Sequence, residues 1–200
     1  MRAHVYAATA AFLLLLRAPL ALAEDPDASP ERVFLPEFEF GVMGYGRRDI
    51  GVGFVARTSI EYRPALTNAG FARLTYDTTS ASFSTPMGEG LPRLRGTHSA
   101  HDVLVGGGYR TGSETVQVAF GVQGGLHLDA IPRLVESDAL EVSAATRVGA
   151  AVRGSVGVEL YIEPESAVTL EVLGQRMWGP IWQARDGWAG GATAGFTTAP

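Results

Sequence analysis

Apolar and polar residues alternate along most of this 200-residue chain, and that alternation constrains its fold more than any other feature. Between residues 141 and 163, Val152, Val156 and Val158 share one parity, while Arg153 and Glu159 share the other. Successive side chains of a β-strand point to opposite faces, whereas a helix repeats every 3.6 residues. From residue 33 onward no helical period stands out, so the sequence predicts an all-β protein.

The alternating segments number eight, and many of them are long. They cover residues 34–45, 50–63, 70–78, 101–110, 115–129, 141–163, 167–178 and 187–197. Strands of soluble proteins usually have about 5–6 residues. A strand that crosses a bilayer at a tilt of about 45° needs about 9–11. The lengths therefore favour strands that span a membrane.

The connections between these segments alternate in length. Those at 64–69, 111–114 and 164–166 are short and contain turn residues such as Pro64 and Gly112, whereas those at 79–100, 130–140 and 179–186 are longer. Short turns at one end and longer loops at the other are typical of outer-membrane barrels. The short first connection, 46–49, is the exception. We predict an eight-stranded antiparallel up-and-down transmembrane β-barrel over residues 33–200.

The first 23 residues are predicted to be a signal peptide. Arg2 begins a short basic region, residues 7–16 are apolar, and Ala21 to Ala23 has the A-x-A form of a cleavage site. An uncleaved anchor is the alternative, although a spanning helix needs about 20 apolar residues. Residues 24–32 form a polar lead-in. The chain contains no Cys, so an exported form would fold without disulfides.

Charged residues concentrate on the parity opposite to the apolar one. An eight-stranded barrel has room inside only for side chains, and the planar fork of Arg bonds carboxylates bidentately. We therefore predict a paired polar network that fills the interior; an ion-conducting pore or a gate of paired charges is the alternative. The predicted members are Glu37, Glu39, Arg57, Glu61, Arg73, Asp77, Asp102, Arg110, Arg147, Arg153, Glu159 and Glu171.

Aromatic residues cluster near the two ends of the predicted strands. Barrels in outer membranes carry such girdles at both interfaces. The predicted interface aromatics are Phe34, Tyr62, Tyr109 and Phe196 at the turn end, and Tyr76, Trp178, Trp182 and Trp188 at the loop end.

Candidate chemistry is sparse. His98, Ser99 and His101 end the long 79–100 connection, and a Ser–His pair beside an Asp invites a hydrolase interpretation. Neighbours in an extended chain point to opposite faces, so His98 and Ser99 are not expected to form a base–nucleophile pair. Glu37 and Glu39 could form an acid–base pair, but neutralisation by Arg57 is the expected arrangement. We predict no metal site and no cofactor.

The chain resembles the small eight-stranded outer-membrane barrels of Gram-negative bacteria, the OmpA/OmpX-like superfamily. The signal peptide, strand number, loop asymmetry and aromatic girdles carry the resemblance, and residues 191–196 resemble a closing strand that ends in Phe196. It implies location in the outer membrane, contact with outer-membrane lipid and lipopolysaccharide, a monomer, and a structural or envelope-interaction role. The 79–100 connection is a candidate surface for other partners.

Two other functions remain open at this point. One is an outer-membrane acyl hydrolase of the same fold that modifies lipid A. The other is a soluble, secreted lipocalin-like barrel, which requires an apolar interior. Nucleic acid is not expected as a partner, because the net charge is −5 and no basic stripe is present to replace counterions.

Overall fold

The computed structural model describes residues 33–64, 69–86, 93–136, 140–163, 166–180, 182 and 187–198. The predicted signal peptide and polar lead-in lie outside the described residues. The strands are β1 (Val33–Tyr45), β2 (Ile50–Arg63), β3 (Gly70–Pro86), β4 (Arg93–Gly112), β5 (Val116–Glu136), β6 (Leu140–Glu163), β7 (Ser166–Trp178) and β8 (Trp188–Thr198). No helix among the described residues is long and apolar enough to cross a bilayer.

Each strand pairs antiparallel with its neighbours in sequence, and β8 pairs with β1 to close the sheet. The closing register sets Phe38 opposite Phe196 and Val42 opposite Ala192. Full closure leaves no unpaired edge, which is the condition for a sheet within lipid. The predicted eight-stranded antiparallel barrel is confirmed.

Two hairpins are longer than the sequence predicts. The β3–β4 ladder continues to Pro86 opposite Arg93, so most of the predicted 79–100 loop is strand. The β5–β6 ladder continues to Glu136 opposite Leu140, so most of the predicted 130–140 loop is strand as well. Between 78 and 85 the outward positions are largely Ser and Thr, which form good ladders but give no apolar alternation.

The polarity of the barrel is inverted relative to that of a soluble protein. Val52, Val172 and Phe40 face outward with 70%, 66% and 58% of their surface exposed, whereas Glu61 and Arg153 inside are 0% and 1% exposed. The lipocalin-like alternative is therefore wrong, because it requires an apolar interior. A smaller apolar cluster, which includes Met43, Val55, Leu104 and Met177, lies inside toward the loop end.

Most of the predicted interface aromatics lie on the outer surface. Phe34, Tyr109 and Phe196 are exposed at the turn end, where Phe34 also packs on Tyr62 with ring centroids 5.1 Å apart. The outward-facing Tyr76, Trp178 and Trp188 are about half exposed. Trp182 is different and is described with the interior below.

Candidate functional site

The turn-end half of the interior is centred on Glu61. Its carboxylate accepts hydrogen bonds from Arg63 Nε at 2.5 Å, Arg73 Nε at 2.9 Å and Arg110 Nη2 at 2.5 Å. Arg110 also donates to Glu159 at 2.6 Å. These residues come from β2, β3, β4 and β6, so the ion pairs connect strands that are not neighbours in the sheet.

Arg57 is the hub of the middle of the barrel. It donates to Glu39 at 2.6 Å, to Asp77 at 2.9 Å and, through a short contact, to Glu171. Glu171 also accepts from Arg73 Nη1 at 2.9 Å, which joins this group to the turn-end half. All of these side chains are buried. One connected set of ion pairs therefore runs from the turn end to the middle of the barrel.

Toward the loop end the interior changes from arginine to histidine. The histidine cluster comprises His98, His127, Asp102, Asp129 and Trp182. Asp129 faces His98 Nε2 and His127 Nε2, both at 2.7 Å, and His127 Nδ1 lies 2.5 Å from Asp102. Trp182 donates to Asp129 as well. The Trp182 indole nitrogen also lies 3.1 Å from His127 Nε2, so this one indole contacts both members of the His127–Asp129 pair.

Arg153 joins the histidine cluster to the middle group. Its Nη2 lies 3.4 Å from Asp102, and the same nitrogen forms a short ion pair with Asp77. Gln175 bridges the same region, since it accepts from Arg153 at 2.6 Å and donates to Asp102 at 2.9 Å. Charged and polar contacts thus run from Arg63 at the turn end to His98 at the loop end.

The buried carboxylates outnumber the buried arginines among the described residues. Eight carboxylates face five arginines, with two histidines at the loop end. Taking charges out of water is costly unless each is paired and hydrogen-bonded, and the dense cross-bonding here meets that condition. The carboxylates are Glu37, Glu39, Glu61, Asp77, Asp102, Asp129, Glu159 and Glu171; the arginines are Arg57, Arg63, Arg73, Arg110 and Arg153.

Eleven of the twelve predicted network residues are buried inside the barrel, and Arg147 is the exception. Arg147 has inward parity but is exposed, because the β6–β7 ladder ends at Ala150 opposite Trp178 and Arg147 lies beyond that end. Four buried members were missing from the predicted set: Arg63, His98, His127 and Asp129. Arg63, His127 and Asp129 carry the inward parity of their strands, which was the available signal.

Trp182 was wrongly predicted as an interface aromatic. It is 6% exposed and lies within the loop-end mouth, stacked on Tyr45 with centroids 5.8 Å apart and an interplanar angle of 15°. The Arg47 guanidinium lies 5.7 Å from the Trp182 ring. Parity cannot orient a residue in a connection, so the prediction had no physical basis there. The indole lies against His127 of the histidine cluster, with ring centroids 5.9 Å apart.

The β1–β2 connection holds an ion pair of its own. Arg47 Nε donates to Asp49 at 2.9 Å. Partial burial alone would raise the pKa of Asp49, but the hydrogen bonds and charge of Arg47 outweigh it and hold that pKa below its ordinary value.

The three weak catalytic candidates do not assemble. His98 points inward to Asp129, whereas Ser99 and His101 lie on the outer face of β4, where His101 Nδ1 is 2.9 Å from the Tyr76 hydroxyl. The His101 imidazole, which shares that face with Ser99, is hydrogen-bonded to Tyr76 and not to Ser99. No group of three or more His, Asp or Glu side chains in the described part of the chain is arranged to hold a metal ion.

Glu37 and Glu39 are held by cations and hydroxyls rather than set as an acid–base pair. Glu39 is bound by Arg57, while Glu37 accepts from Ser59 at 2.8 Å and lies 3.4 Å from Arg73. Neutralisation by Arg57, as expected from the sequence, therefore applies to Glu39.

Comparison with known proteins identifies the architecture. No protein-family model and no curated protein matches the sequence. Among solved structures, Neisserial surface protein A (NspA) aligns with a TM-score of 0.55 and 14% identity over 84% of this chain and 96% of that one. The chain has the fold of the small eight-stranded outer-membrane barrels of the OmpA/OmpX-like type.

A second solved structure agrees. Ail, the attachment invasion locus protein of Yersinia pestis, in complex with the heparin analogue sucrose octasulfate, aligns with a TM-score of 0.51 and 10% identity. The alignment covers 84% of this chain and 97% of that one. At such identities the likeness is one of fold.

Proposed function

We propose that this protein is an outer-membrane β-barrel with a structural or envelope-interaction role and an interior closed by side chains. The observation that carries the proposal is the inverted polarity: apolar residues cover the outside and paired charges fill the inside.

The outer surface fits lipid and does not fit water. Large apolar or aromatic side chains are exposed on all eight strands, among them Phe38, Phe120 and Leu170, each about half exposed. Soluble monomers rarely expose a contiguous apolar patch of more than a few hundred Å². In a bilayer the free-energy cost of exposing apolar surface to water does not arise, because the surface then faces acyl chains.

The interior supports a structural role over transport. The Arg57 guanidinium alone joins side chains from β1, β3 and β7. Opening a passage through such a hub would separate several buried ion pairs at once, and each carries a large penalty when it loses a partner. The network therefore serves as a rigid core, and we propose no conduction of solutes.

The envelope-interaction role is assigned to the two long hairpins. β3–β4 and β5–β6 continue beyond the rest of the sheet. Pairing between β4 and β5 ends at Ser99 opposite Ala130, and pairing between β2 and β3 ends at Ile50 opposite Phe83, whereas the two strands within each hairpin stay paired to its far end. Outer-membrane barrels place short turns in the periplasm and longer connections outside. We therefore propose that these hairpins project from the cell surface, where residues 79–100 contact partner molecules, and that the barrel is a monomer.

The test is expression of the full chain in a Gram-negative host, followed by membrane fractionation and gel electrophoresis with and without boiling. We expect recovery in the outer membrane and slower mobility after boiling, because the closed barrel resists detergent until heated. A soluble periplasmic product would refute the proposal. Planar-bilayer recording tests the sealed interior, with no stable conductance expected.

A further inference from the structure

One formal charge faces outward on the closed wall of the barrel. Of the described strand residues that pair on both sides and point away from the interior, Arg176 on β7 is the one charged residue. It lies between Val152 of β6 and Trp188 of β8 in register. An arginine on the lipid face is costly unless its guanidinium reaches the membrane interface.

Two tryptophans flank this arginine. The Arg176 guanidinium carbon lies 5.7 Å from the Trp178 ring centroid and 5.0 Å from that of Trp188. Both indoles are about half exposed on the outer surface near the loop end of their strands. Tryptophans at this position mark the boundary between acyl chains and headgroups. The two contacts therefore keep the cation at headgroup depth.

The wall beside Arg176 is bare backbone. The next outward-facing row toward the turn end lies two residues from Arg176 along β7. In that row, four glycines lie side by side on β6, β7, β8 and β1. A Cβ on the first two would meet no atom within 4 Å, and a Cβ on the others would meet only a backbone oxygen at 3.7 or 3.8 Å. The packing of this chain therefore does not require glycine there. The four are Gly154, Gly174, Gly190 and Gly44.

We propose that Arg176, flanked by Trp178 and Trp188, binds a phosphate group of a phosphorylated glycolipid of the outer leaflet, with an acyl chain along the glycine row. A guanidinium binds phosphate through paired, charge-assisted hydrogen bonds. The loop end of the barrel lies in the outer leaflet in the proposed orientation, which favours a glycolipid over a phospholipid. This inference rests on the proposed function, because only a membrane-embedded barrel presents its outer wall to lipid.

The test is native mass spectrometry of the full chain refolded in detergent and titrated with bisphosphorylated lipid A. We expect Arg176→Gln to weaken lipid binding by at least about tenfold, since it removes the charge and half of the paired donors. Gly174→Leu keeps the charge but fills the space over the glycine row, and should weaken lipid binding as well. Matched controls are Arg48→Gln, in the exposed β1–β2 connection, and Ala72→Leu, which is outward on β3 across the barrel. Neither should change binding.

Three results would overturn the inference. The first is equal binding of lipid A by Arg176→Gln and the parent protein. The second is equal binding of dephosphorylated lipid A, which would remove the phosphate from the recognition. The third is phosphatidylglycerol binding as tightly as lipid A with the same dependence on Arg176, which would replace the glycolipid by a phospholipid. Mobility on unboiled gels reports folding of every variant. Failure of the parent chain to enter membranes would refute the proposed function instead.

Discussion

Removing the Arg57 guanidinium is the sharpest test of the idea that ion pairs hold the interior together. The substitution Arg57→Met keeps most of the length of the side chain and removes its donors to Glu39, Asp77 and Glu171. We expect a large loss of stability, because the carboxylates stay buried after their shared cation has gone.

The magnitude follows from what each carboxylate keeps. Asp77 retains Arg153, and Glu171 retains Arg73 at 2.9 Å. Glu39 retains only the hydroxyls of two threonines, at 3.2 and 3.3 Å, and no cation. One buried charge is thereby left uncompensated, which costs about 3–5 kcal/mol. Adding Glu39→Gln removes that charge, so the double variant should recover more than half of the loss.

The assay is urea unfolding in neutral lipid vesicles, followed by tryptophan fluorescence and by gel mobility. With a slope of about 2 kcal/mol/M, the expected loss lowers the midpoint by about 2 M. Arg48→Gln, an exposed charge, should change stability by less than about 1 kcal/mol. Equal stability of Arg57→Met and that control would contradict the assigned role of Arg57, as would a double variant that is no more stable than the single one.

Three further substitutions, the last with a matched control, test other parts of the structure. Trp182→Phe removes the donor to Asp129 and should cost about 1–3 kcal/mol in the same urea assay, because a buried acceptor loses a partner. Val172→Arg puts a charge on the lipid face and should cost about 2–4 kcal/mol in vesicles but much less in a detergent that lets the side chain reach water. Gly108→Ala should prevent folding, seen as loss of the fast-migrating band, because its Cβ would lie 1.8 Å from a backbone oxygen, whereas Gly174→Ala should fold normally.

The alternation of residue types was sufficient to predict the architecture. Period two is a local property: Val156 and Val158 must face the same way whenever that segment is a strand, whatever it pairs with. The same rule assigned Glu61, Arg73 and Glu159 to one face, and all three are buried. The sequence also separated short from long connections, which indicated the up-and-down order.

Other features had no local signal. The β3–β4 hairpin was predicted too short, because Ser and Thr on its outer face carry no apolar period. Trp182 lies in a connection, where parity does not apply, and only the folded mouth of the barrel turns it inward. Arg147 has the right parity, yet its side chain is exposed because the neighbouring strand ends first.

By itself, then, the sequence determined that there are eight strands and which face each residue of the alternating segments occupies, because both follow from the geometry of a single extended chain. The tertiary structure decided which charge meets which. Arg57 bonds Glu171, which is 114 positions away in the chain. That contact depends on the register of every ladder and on the closure of β1 with β8. The alternation of residue types within one strand predicts neither of them.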